Sequence, residues 1–157
     1  MSVNPGVVET QSSRAWMDVR KGWAWQGAKV PVDISLGSGE LVMVVGSTQL
    51  DKREREALVR LSGDAVLSTL IASREQPEIR VGLADAAFRY PSVFGLGRTT
   101  IVVRQDGRPD FALSFVDPAQ TGNPLTSPRR FTFRLLRAGP AARRVRDSWK
   151  EAVEACR

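Results

Sequence analysis

The sequence predicts a mostly β domain closed by a C-terminal amphipathic helix, a small antiparallel barrel or orthogonal sandwich of about seven strands. Three observations predict it. Short apolar runs of strand length recur between turn signals. Asp106-Gly107 separates two such runs and is the strongest hairpin signal in the chain. Near the C-terminus, Ala142, Val145, Trp149, Ala152, Val153 and Cys156 recur at helical spacing behind Gly139-Pro140, with Pro140 at a permitted first helical position.

Residues 1–27 read as a flexible or peripheral N-terminal segment and residues 28–157 as the folded domain. Trp16, Val19 and Trp23 could share a helical face, while Trp23-Ala24-Trp25 could equally begin a strand. Val30, Val32, Ile34 and Leu36 alternate with Pro31, Asp33 and Ser35; because Pro31 lacks an N–H, this strand is expected at an edge. Gly37-Ser38-Gly39 turns the chain into Glu40 to Val45, expected to be a more central strand. Residues 51–73 admit two readings. Asp51 and Glu54 form a capping-box pattern ahead of Ala57, Leu58 and Leu61, yet Ser62-Gly63-Asp64 divides two strand-length runs, and this turn signal favours a hairpin.

Ile79, Val81 and Leu83 alternate on one face, Thr99 to Arg104 forms another strand, and Phe111, Leu113 and Phe115 a third. Four Pro and Gly residues between 117 and 128 predict a loop. Phe131, Phe133 and Leu135 then alternate with Arg130, Thr132 and Arg134, the pattern of a last strand with an arginine-bearing outer face.

The composition closes off several chemistries. The chain has 157 residues, no His and one Cys, so imidazole catalysis, His metal ligation, intramolecular disulfides and Cys-x-x-Cys redox chemistry are absent. No metal or cofactor is expected. No apolar run approaches the ~20 residues of a membrane span, and an intracellular, cytoplasmic or nuclear, location is expected. A small enzyme built from Asp, Glu, Arg, Tyr90 and Ser is the alternative of another class. Asp106 and Asp110 flank a turn, where Asp serves turn geometry.

Charge is unevenly placed. Residues 1–90 are neutral, and residues 91–157 carry the whole net charge of +6. Of 23 basic residues 19 are arginines, whose planar five-donor head suits carboxylate or phosphate. Seven of them, Arg129, Arg130, Arg134, Arg137, Arg143, Arg144 and Arg146, fall within eighteen residues.

The layout resembles the pleckstrin-homology superfold and its GRAM relatives over about residues 38–157. Glu56 to Ser62 followed by Ala65-Val66-Leu67 is similar to the paired strands after the first in those domains. Ile79 to Ala86 resembles their fourth strand, Pro91 to Gly95 the turn before the fifth, and Arg146 to Val153 the closing helix with its tryptophan. Phe131-Thr132-Phe133 with that helix is also similar to the pleckstrin-homology-like domain of a TFIIH core subunit, whose family binds acidic activation segments.

The resemblance and the charge together imply a non-enzymatic recognition or adaptor module. An acidic or phosphorylated protein segment would dock on Arg129, Arg130, Arg134, Arg137, Arg143 and Arg144, within a larger complex. The alternative is phosphoinositide or other anionic phospholipid. The nearest match to the basic lipid motif of such domains is Lys52, Arg53 and Arg55, which Asp51, Glu54 and Glu56 largely neutralise. Nucleic acid is an unlikely partner on this reading. Trp23 and Trp25, beside Arg20-Lys21, are the aromatic pair that could stack on a ligand.

Overall fold

The computed structural model describes residues 11–37, 39–46, 50–62, 77–92, 95–122 and 126–157. Among these described residues eight antiparallel strands form one sheet, and a long helix follows at the C-terminal end. The strands are β1 (Ser12–Lys21), β2 (Ala24–Trp25), β3 (Val30–Gly37), β4 (Glu40–Val45), β5 (Glu78–Gly82), β6 (Ala86–Arg89), β7 (Thr100–Gln105) and β8 (Phe111–Ser114). Helix α1 (Lys52–Ser62) lies between β4 and β5; α2 (Pro118–Thr121) and α3 (Pro128–Cys156) follow β8.

The sheet is a meander whose first and last long strands meet. Its order is β5-β4-β3-β1-β8-β7-β6, with β2 appended to β1. Among the described residues no ladder joins the edge strands β5 and β6. Inward-facing side chains alternate along each strand as period-two geometry requires: Met17 and Val19 on β1, Val32 and Ile34 on β3, Leu41 and Met43 on β4, Phe111 and Leu113 on β8. With Leu58 and Leu61 of α1 and Trp149 and Val153 of α3 they make one continuous core.

Five sequence expectations change. Residues 12–21, read as part of a peripheral segment, form a central strand paired with both β3 and β8, and Ala15, Met17 and Val19 are fully buried. Trp16 lies on the outer face, opposite Ala15, Met17 and Val19, and obscures the alternation. The strand containing Pro31 is internal as well. Pro31 precedes the first β3–β4 pair, Val32 with Val45, and its carbonyl accepts from Gly46 N at 2.7 Å. The missing N–H therefore points past the end of β4, where no ladder donor is required.

Residues 52–62 are helical, so the strand expected over 56–61 is overturned; its hairpin partner over 65–71 lies outside the described residues. The capping box decides the matter: Glu54 N donates to Asp51 Oδ1 at 2.8 Å and Asp51 N to Glu54 Oε2 at 3.2 Å. Finally, the strand expected over 131–135 and the helix expected to start at Pro140 merge into the single helix α3. Asp117 caps α2 within the segment expected to be a loop, accepting from Ala119 N at 2.8 Å.

The remaining strands follow their sequence pattern. Gly107 adopts φ 74° in the Asp106-Gly107 turn, a conformation costly for any residue with a Cβ, and β7 and β8 pair on either side of it. The short strand β6 was not foreseen.

Candidate functional site

Helix α3 begins at Pro128, whose missing N–H is harmless at a first helical position, and runs for 29 residues. Phe131, Leu135, Ala138, Ala142, Arg146, Trp149 and Val153 recur at steps of three and four and form its inward stripe. The alternation of Phe131, Phe133 and Leu135 is incidental to that longer period. Phe133, expected in the core, projects outward and is 62% exposed.

The helix has two unlike halves. From Ala142 onward it is seated: Trp149 is 1% exposed and its Nε1 donates to Ser13 Oγ at 2.7 Å. Before Ala142 only Phe131, Leu135, Ala138 and Gly139 are even half-covered. Pro140 lies between the halves and, lacking an N–H, deprives the Leu136 carbonyl of its helical donor.

All six predicted acid-binding arginines fall on the exposed side of α3. Arg129 and Arg144 are about 22 Å apart along the axis at 1.5 Å per residue. Among the described residues none of the six pairs with a carboxylate. Arg137 stacks 5.5 Å from the Phe133 ring centroid, and Arg144 Nε donates to the Pro140 carbonyl at 3.4 Å. Leu136, 71% exposed, lies among them. Apolar grooves flank this half of the helix. One, of about 440 Å³, is lined by Phe115, Val116, Ala138, Ala141 and Val145 with Arg134 and Arg137 at its rim. The other, about 190 Å³, lies between Thr99, Leu135 and Pro140, next to Arg143.

Arg146, the seventh arginine of the cluster, does not belong to this surface. It is 8% exposed, donates through Nη1 to the Pro91 carbonyl at 2.8 Å and through Nε to Asp147 at 3.0 Å. It tethers the segment before the 3-10 turn at Gly95–Thr99 to the seated half of α3.

Lys52, Arg53 and Arg55 share the first turn of α1. They surround Glu54, whose carboxyl burial holds above the usual range, aided by the nearby charge of Asp51. This cluster lies on a different element from the α3 arginines.

Nothing along the chain signals a further basic concavity. Arg20, Arg89, Arg104 and Arg108 line a cleft of about 690 Å³ on the outer face of the sheet. They are scattered over 89 positions of the chain, so no charge run marks them; strand register alone collects them. Among the described residues no group of three or more acidic or cysteine side chains could hold a metal ion, and no helix is long and apolar enough to cross a membrane.

No protein-family model matches this chain, and no curated protein matches it.

Proposed function

We propose that this domain is a non-enzymatic recognition module of the pleckstrin-homology type, which docks an acidic or phosphorylated protein segment on the exposed face of α3 within a larger complex. One observation carries the reading: six guanidinium groups share a solvent face with Phe133 and Leu136, and no carboxylate of the described residues neutralises them. Such a face attracts anions collectively, and its arginines offer bidentate geometry to carboxylate or phosphate. The meander that pairs its first and last long strands, closed by a tryptophan-bearing helix, supports the fold-family part of the reading.

A protein segment suits the site better than a lipid surface. The grooves beside α3 are concave and apolar, so they accept protruding side chains, whereas a bilayer is flat. The test is titration calorimetry of the Arg130→Glu/Arg134→Glu variant with an acidic peptide and its phosphorylated form at low salt. At least a tenfold loss of affinity is expected, since charge-assisted hydrogen bonds are worth about 1.5–3 kcal/mol each. Unchanged affinity removes this surface. Sedimentation of the wild type with anionic vesicles, coupled with no peptide binding, transfers the site to the lipid reading.

A further inference from the structure

The cleft on the outer face of β6 and β7 is a second basic site, independent of α3. Ala87 pairs with Arg104 and Arg89 with Val102, which places Arg89 and Arg104 diagonally on the same face of neighbouring strands. Diagonal positions are about 7–8 Å apart, within reach of two arginines serving one ligand. Arg108 enters from the β7–β8 hairpin. The floor includes Val102, which is only 7% exposed, so the base of the cleft is apolar and the charges stand at its walls.

Arg20 forms the opposite wall and is already engaged. Its guanidinium donates to the carbonyls of Gly22 at 3.2 Å and Trp23 at 3.5 Å, lies 3.8 Å from Asp110 Oδ2, and stands 6.0 Å from the Trp25 ring centroid. Asp110, the one acidic residue lining the cleft, is thus committed to Arg20. The guanidinium groups of Arg89, Arg104 and Arg108 have no hydrogen bond or ion pair to any described residue. Three like charges around one concavity repel one another, and a compact multivalent anion relieves that repulsion while using the guanidinium forks.

The hairpin bordering the cleft adds an aromatic element. Gly22 lines the cleft, and the next residue, Trp23, is 91% exposed. Trp25, 40% exposed, flanks Arg20. A large indole left in water one residue from the cleft wall offers a stacking surface near the anion site.

We infer that Arg89, Arg104 and Arg108 form a binding site for a ligand carrying contiguous phosphate groups, either a nucleotide or free polyphosphate. The cleft volume lies within the range of small-ligand sites. The acidic or phosphorylated segment proposed for α3 is a separate ligand on a separate element.

The experiment is calorimetric titration of the whole chain with sodium tripolyphosphate and, separately, with adenosine triphosphate, both without metal. Saturable binding of both is expected. Arg89→Gln/Arg104→Gln should weaken both at least tenfold, while Arg130→Glu/Arg134→Glu leaves tripolyphosphate affinity within twofold. That last comparison separates failure of this site from failure of the α3 reading. Tighter binding of the nucleotide, with the advantage lost in Trp23→Ala, identifies the nucleotide as the source; equal binding identifies free polyphosphate. Arg108→Gln gives a parallel loss from the hairpin side, should the double variant prove unfolded by circular dichroism. Absence of saturable tripolyphosphate binding to the wild type, or wild-type affinity in the folded variants, overturns the inference.

Discussion

Trp149 and Ser13, 136 positions apart, are joined by a 2.7 Å hydrogen bond from the indole Nε1 to the serine Oγ. The bond fastens the terminal helix to β1 in the middle of the sheet. Gln11 Nε2 repeats the connection to Ser148 Oγ at 3.0 Å. The seated half of α3 is therefore anchored, and the half that carries Arg129, Arg130, Arg134 and Arg137 extends from a fixed base.

This junction should dominate stability. Trp149→Ala opens a large cavity in the core and is expected to lower unfolding free energy by about 3–5 kcal/mol. Ser13→Ala leaves the indole N–H buried without its partner, for a loss of about 1–3 kcal/mol. Urea denaturation followed by tryptophan fluorescence measures both, and a Ser13→Ala variant as stable as wild type would contradict the bond's role.

Arg146 should behave as a structural residue although it belongs by sequence to the basic cluster. Arg146→Met retains the stem but loses the bond to the Pro91 carbonyl, and about 1–3 kcal/mol of stability should go with it. Acidic-peptide affinity measured on the folded fraction should stay near wild type. The six exposed arginines should show the converse, with binding lost and stability nearly kept.

Pro140 makes a prediction of opposite sign. Pro140→Ala restores the donor to the Leu136 carbonyl in a largely exposed stretch of helix, so helicity should rise by circular dichroism and stability by about 1–3 kcal/mol. A less stable variant would show that packing around position 140 requires the proline ring.

Asp18 gives the fold an unusual pH response. Burial raises its carboxyl above the ordinary value of 3.8, outweighing backbone N–H donors from Val19, Gly27 and Ala28. The native state then holds the proton more tightly than the unfolded state. Between the ordinary and the raised value, stability should fall as pH increases and then level off. Glu54 contributes with the same sign. In Asp18→Asn the slope of the urea midpoint between about pH 3 and pH 7 should diminish without vanishing; an unchanged slope would exclude Asp18 as its source.

Local pattern made the sheet legible wherever one face of a strand was apolar and the other polar. Val30 to Leu36, Ile79 to Val81 and Phe111 to Leu113 read plainly for that reason. β1 did not, because Trp16 occupies its outer face, and the 12–21 stretch had been placed outside the domain. Residues 51–62 carried a capping box and a competing turn signal, and the cap prevailed because it satisfies otherwise unpaired helix donors directly. Over 131–135 a five-residue alternation outweighed a helical stripe that becomes visible only when followed to Val153.

The arginine run of α3 was readable as a list of residues, since consecutive charges remain neighbours in any local structure. Their common exposed face was not, for a strand reading also places Phe133 inside. The sequence by itself determined the mostly antiparallel sheet, the terminal helix and the concentration of positive charge at the C-terminal end, because each depends on residues close along the chain. Only tertiary structure decided that β1 is central, that Arg146 turns inward while its neighbours do not, and that Arg89, Arg104 and Arg108 share a cleft. Those relationships arise from strand register and from a helix seated on a sheet, contacts between residues far apart in the chain, which no local periodicity encodes.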